Sequence, residues 1–185
     1  MPEFPPGSEA ILKSLEIDKG IFREELFGLR DEYWEIQEEI KGSYDFGLLE
    51  LECAPIKDKI ARHVRKLIDH LETYQKKDFL GKMELILNEI RIVRSKLEEP
   101  AESIDEVMML LDYIEVVKRP ESKVDELTGA IKTLKVKMEY LIELEIAVQS
   151  DEYWQYLELL GWPRLFRDWL EQRRNDLLST RENLF

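Results

Sequence analysis

The sequence predicts an all-α protein: an elongated antiparallel helical bundle with heptad-patterned long helices and one extended crossover. Three observations carry this. Apolar residues recur at steps of three and four along most of the chain, the spacing of a single helix face. One short stretch alone, residues 43–54, alternates apolar and polar residues in the manner of a strand. Prolines and glycines punctuate the ends of the periodic runs, so the connections are short, and short connections favour antiparallel neighbours.

Residues 1–8, MPEFPPGS, read as a vector-derived or disordered leader and are set aside. The first helix is expected over residues 9–42, with its stripe at Leu12, Leu15, Phe22, Leu26, Leu29, Tyr33, Ile36 and Ile40. Gly20 and Gly28 each weaken it by about 1 kcal/mol relative to Ala, and Gly42 stands where a helix commonly ends. Residues 43–54 follow, with Leu49, Leu51 and Cys53 alternating with Glu50 and Glu52. A lone strand has no partner, so the segment reads as an extended crossover lying on the helices.

Pro55 suits a first helical turn and opens a long helical region over 55–99. Its first stripe is Ile56, Ile60, Val64, Leu67, Leu71 and Tyr74. Its second is Phe79, Met83, Ile86, Ile90, Val93 and Leu97. The stripe jumps by five between Tyr74 and Phe79, beside Gln75-Lys76-Lys77-Asp78 and Gly81, so either one long helix kinks near 75–81 or two helices meet there. Unbroken, such a helix would reach roughly 66 Å.

Residues 100–185 read as four further helices. Pro100 ends the long helix, and Ser103 with Glu106 forms a capping box for the next, whose stripe is Ile104, Val107, Leu111 and Ile114. After Pro120 comes a helix with Val124, Leu127, Ile131, Leu134, Met138, Leu141 and Val148. A short helix from Ser150 to Leu160 is expected to stop at Gly161, and Pro163 to start the last, which carries Leu165, Phe166, Trp169, Leu170, Leu177 and Leu184. Gly161, Trp162, Pro163, Phe166 and Trp169 are thus the candidate site, a structural corner. Gly161 would take a positive φ, and the aromatic side chains would fold back on both helices. Aromatic residues of this kind are also favoured anchors for a partner. The word DEYW occurs at 31–34 and again at 151–154, with no further match at that spacing, so it is no repeat.

Composition bounds the function. At 185 residues the chain is one domain or two small ones, and its 44% hydrophobic content suffices for a core. A net charge of −13, from 40 acids and 27 bases, speaks against binding to nucleic-acid phosphates or to an anionic membrane surface. No apolar run approaches the roughly 20 residues of a membrane span. The single cysteine, Cys53, allows no internal disulfide and reads as a buried apolar thiol.

No catalytic, cofactor-binding or metal-binding residue stands out. There is no phosphate-binding loop. His63 and His70 lie seven apart on one helix, about 10 Å along its axis, which is too far to share an ion unaided. Ile60 and Leu67 occupy the places where a carboxylate-bundle metal site needs Glu. An enzyme is not expected, and no cofactor is.

Three segments carry a family resemblance. The stretch ELLGWPRLFRDWLEQRRNDLLSTRENLF resembles the tail, or stem, of axonemal dynein heavy chains, where a short helix leads through a tryptophan-proline turn into a charged helix. YDFGLLELECAPIKDKIARHVRKLIDHL looks like that family's passage from a crossover into a long helix. RPESKVDELTGAIKTLKVKMEYL looks like its next helical pair. The likeness runs in order over roughly residues 20 to 185, and its most specific word is Gly161-Trp162-Pro163. It implies a non-catalytic, force-transmitting segment just before the linker of an ATP-driven microtubule motor. It implies protein partners, namely other dynein subunits or neighbouring heavy chains, and a place in the cytoplasm and cytoskeleton, in the axoneme of a cilium or flagellum. The alternative, from another class, is a spectrin-like or tethering helical scaffold.

Overall fold

A computed structural model of the chain describes residues 19–183. The predicted leader at 1–8, the start of the first helix with Leu12 and Leu15, and Leu184 lie outside the described residues. Within them the chain is mostly helical. The order is α1 (Lys19–Glu39), β1 (Ser43–Asp45), β2 (Glu50–Glu52), α2 (Ala54–Glu98), α3 (Ile104–Lys118), α4 (Lys123–Glu143) and α5 (Ser150–Asn183). Contacts divide the chain between Gln75 and Lys76, inside α2, into two units.

In the first unit, α1 buries Phe22 and Leu26, with Leu29, Tyr33, Ile36 and Ile40 partly covered on the same face. Arg30 Nη2 donates to Glu72 Oε1 at 3.0 Å, and Lys57 Nζ donates to the Gln37 carbonyl at 2.7 Å. As numbers rise on α1 they fall on α2, so the two helices run antiparallel. The predicted crossover is instead a β-hairpin. Ser43 pairs with Glu52, Tyr44 with Leu51 and Asp45 with Glu50. The strand read as lone finds its partner in Ser43–Asp45 because Gly47, at φ 85°, permits the reversal, and its N–H donates to Asp45 Oδ1 at 2.7 Å. The hairpin does not lie on the helices either: both strands are exposed throughout. Cys53 is half-buried rather than buried. Its carbonyl accepts from Ile56 and Lys57 and starts α2.

α2 is one helix of 45 residues, continuous through the expected break at 75–81. The five-residue step from Tyr74 to Phe79 does not lie along the buried face. Ile56, Ile60 and Leu67, expected in the seam, are 63%, 44% and 42% exposed. The buried positions are Ala61, Val64, Ile68 and Gln75, followed by Phe79, Met83, Ile86, Ile90, Val93 and Leu97. Their spacing is helical from Ala61 to Leu97 with no discontinuity. Gln75, 2% exposed, is the polar residue that hid the continuity.

The second unit begins at Lys76. Three pairs along α2 and α5 keep a near-constant offset: Lys76 with Glu152 at 3.0 Å, the Phe79 and Tyr156 rings at 5.8 Å, and Arg173 Nε on the Leu97 carbonyl at 2.9 Å. These two helices therefore run in the same direction. α4 runs against α2, through Lys123–Glu89 at 3.2 Å and Lys137–Asp78 at 2.9 Å. α3 runs against α5, through Lys118–Glu171 and Arg174–Glu115. Residues 100–183 thus hold three helices, not four, because the short helix expected to stop at Gly161 is the first part of α5.

Caps explain the remaining boundaries. Ser103 Oγ accepts from the Glu106 N–H, and the Glu106 carboxylate accepts from the Ser103 N–H, which is the predicted capping box. At the other end of the turn, Arg173 donates to the carbonyls of Leu97 and Glu99, satisfying acceptors that the end of α2 leaves open.

Candidate functional site

The five residues predicted as a corner occupy consecutive turns of an unbroken helix. Pro163 lies inside α5, and the one glycine with positive φ among the described residues is Gly47, not Gly161. The corner reading is corrected on both counts. The reason lies in the register of α5. Tyr156, Leu159, Phe166, Leu170 and Leu177 are all buried, and their spacing is helical on both sides of Pro163. A break at Gly161 would rotate one half of that stripe away from the core. An interior proline costs about 3 kcal/mol, whereas each fully buried large apolar side chain returns roughly 1.5–3 kcal/mol. The stripe outweighs the proline.

The site residues then divide. Phe166 is 3% exposed and belongs to a cluster with Val93, Leu97, Val107, Leu111 and Ile114, against which Trp162 and Trp169 pack partly buried. The Trp162 and Phe166 rings stack at 4.6 Å, and those of Phe166 and Trp169 at 5.5 Å. Arg94 lies 5.7 Å from the Trp169 ring centre, close enough for a cation–π contact. Gly161 faces solvent, and Pro163 is half-buried. The structure therefore brings Trp162, Phe166 and Trp169 together as a ladder on one face and leaves Gly161 off it. Both tryptophans of the DEYW words point outward, Trp34 at 61% exposure and Trp154 at 65%.

A charged junction joins α2 and α4. Asp78 Oδ2 meets Lys137 Nζ and Lys82 Nζ, each at 2.9 Å. Burial pushes the Asp78 carboxyl up, but the hydrogen bonds from Lys137 and Lys82 outweigh it and hold the group below its ordinary range. Burial likewise pushes the Tyr156 phenol up, with the charges of Glu139 and Tyr153 adding to it. Asp78, Lys82 and Lys137 are thus engaged with one another where α2 and α4 pack. Among the described residues no group of three His, Cys, Asp or Glu side chains is placed to hold a metal ion. His63 is exposed and His70 half-buried, both on α2. Among the described residues no helix is long and apolar enough to cross a membrane.

Sequence reasoning missed the exposed apolar residues of the first unit. Phe46, Leu48 and Leu49 stand out at the hairpin tip, and Ile56, Ile60 and Leu67 form an uncovered strip on α2. The signal was present at Ala61 and Ile68. They complete a helical stripe with Val64, and choosing that stripe leaves Ile56, Ile60 and Leu67 outside it.

No family model matches this chain, and a search of curated proteins returns no match.

Proposed function

We propose that this chain is a non-catalytic structural segment of a dynein heavy-chain tail, carrying force and supporting assembly in an ATP-driven microtubule motor of the axoneme. The observation that carries the reading is the ordered resemblance of three segments over roughly residues 20 to 185. The way the chain is built is compatible with it. A long helix, α2, enters a unit in which α3, α4 and α5 pack through apolar stripes, and ion pairs cross between helices. Such an arrangement resists bending by burying side chains on several helices at once. Gly161-Trp162-Pro163, read as a turn through the resemblance, lies within a helix here. The reading therefore rests on the order of segments and not on that turn. Its partners would be other subunits or heavy chains, and its place the cytoskeleton of a cilium or flagellum.

A specific observation favours the second reading, a spectrin-like or tethering scaffold. In the unit from Lys76 onward, α2 and α5 run parallel with α4 antiparallel to α2, an up-down-up order compatible with such a scaffold. One experiment separates the two. The transcript is sequenced downstream of the codon for Phe185. A linker and successive Walker loops in the same frame support the motor tail. Repeated helical units of this kind without Walker loops support the scaffold, and a downstream catalytic domain of any other type overturns both.

A further inference from the structure

The first unit has opposite charges on its two helices. α1 carries seven carboxylates and three bases. The first part of α2, residues 54–68, carries five bases and one acid. The exposed strip Ile56, Ile60 and Leu67 lies on that basic part, with Lys59 and Lys66 along its outer edge. At about 100° per residue the strip sits roughly a quarter turn from the buried positions Ala61, Val64 and Ile68. On α1, the exposed positions Ile21, Glu25, Glu32 and Glu39 sit a quarter turn from Phe22 and Leu26 in the same sense. In an antiparallel pair, flanks displaced in the same sense from the shared seam lie on the same side. Arg30 and Glu72, displaced together in the opposite sense, indeed meet at 3.0 Å. One broad side of the unit therefore shows an acidic helix beside a basic, apolar one.

We propose that this side is the interface of a two-fold dimer, in which α1 of each copy lies over the Ile56–Leu67 strip of the other. A two-fold axis along the helices brings α1 over the second copy's α2 twice, because an isologous contact uses the same patch on both copies. The perpendicular axis in that plane would stack α1 on α1, acid on acid, and charge selects against it. Ile56, Ile60 and Leu67 are buried by the contact. Arg30–Glu72 and Lys57–Gln37 set α1 residues opposite α2 residues whose numbers sum to about 98, and the axis keeps that level, so Lys66 and Lys59 meet Glu32 and Glu39, which share their seven-residue spacing; none of these four residues forms an ion pair within the described chain. A second copy is the occupant with the right chemistry because the chain itself carries both halves. This inference is independent of the motor-tail reading.

The test is sedimentation velocity of the full 185-residue chain over a range of concentrations, at low and high salt. The native chain shifts toward twice the monomer mass as concentration rises, less so at high salt. Lys59→Glu/Lys66→Glu alone, and Glu32→Lys/Glu39→Lys alone, each dimerise about tenfold or more weakly. An equimolar mixture of the two regains the dimer, since every α1–α2 contact is again between opposite charges. Leu67→Glu, on the strip itself, also abolishes it while the helical circular dichroism is unchanged. A native chain that stays monomeric throughout overturns the proposal. So does a dimer indifferent to the swaps, or a mixture of folded swapped chains that fails to associate.

Discussion

Replacing Gly161 by Ala distinguishes a helix from a corner at the Gly-Trp-Pro word by the sign of one number. In a corner, Gly161 would hold a positive φ, and a side chain there would cost roughly 1–2 kcal/mol. In α5 it is an interior, solvent-facing helical position. A Cβ added there meets Leu165 Cδ1 at 3.8 Å, an ordinary contact, so nothing must move. The change then removes the backbone entropy that glycine loses on folding, about 1 kcal/mol in favour of the folded state. For a chain of this size that raises the Tm by about 2–4 °C. The assay is thermal and urea unfolding followed by circular dichroism and by tryptophan fluorescence, to which the partly buried Trp162 and Trp169 contribute alongside the exposed Trp34 and Trp154. A stabilised variant is the expected outcome. Gly161→Ala with a lowered Tm refutes the register argument, whatever the rest of the helix does. Pro163→Ala gives a second reading of the same kind. It restores a donor for the Leu159 carbonyl and removes a ring clash, so it too stabilises, by about 1–3 kcal/mol.

Other outcomes follow from particular contacts. Trp162→Ala, which removes a ring stacked on Phe166, lowers stability by about 2–4 kcal/mol, while Trp34→Ala, at an exposed site, shifts it by under about 0.5 kcal/mol; urea midpoints of the two variants decide. Ser103→Ala removes the side-chain half of the α3 capping box and costs about 1 kcal/mol, read from the same titration. The Asp78 carboxyl is held below its unfolded value, so its contribution is complete above the unfolded pKa near 3.8 and is lost as pH falls through the lower folded value. Acid unfolding of the native chain should therefore steepen below about pH 4. Asp78→Asn should be less stable at neutral pH and lose stability less steeply in acid, and equal acid slopes would refute the assignment.

What could be read in advance depended on whether a stripe was contested. Phe79, Met83, Ile86, Ile90, Val93 and Leu97 are the apolar positions of one face with no close competitor, and all six are buried. The stripe of α4 from Val124 to Leu141 is equally unambiguous and equally buried. In residues 55–74 two apolar stripes run side by side, one through Ile56, Ile60 and Leu67 and one through Ala61, Val64 and Ile68. Counting hydrophobic bulk favours the first. The second is the one buried, because a small residue such as Ala61 permits close helix approach and Gln75 continues its line with its polar groups satisfied. Bulk cannot signal either property.

The hairpin and the Gly-Trp-Pro word failed for opposite reasons. At Gly47 the signal is purely local, Asp45 followed two residues later by glycine, and the reversal it permits supplies the strand's partner. At Gly161 and Pro163 the local signals favour a break, and the longer-range register of Tyr156, Leu159, Phe166 and Leu170 opposes it. Local residues set the cost of a conformation, about 1 kcal/mol for the glycine and about 3 kcal/mol for the proline. Burial over several turns sets the return. Where a stripe keeps its phase across a breaker, as α5 does, the burial term is the larger and the helix continues. Where no buried face is at stake, as in the fully exposed strands of the hairpin, local turn chemistry decides alone.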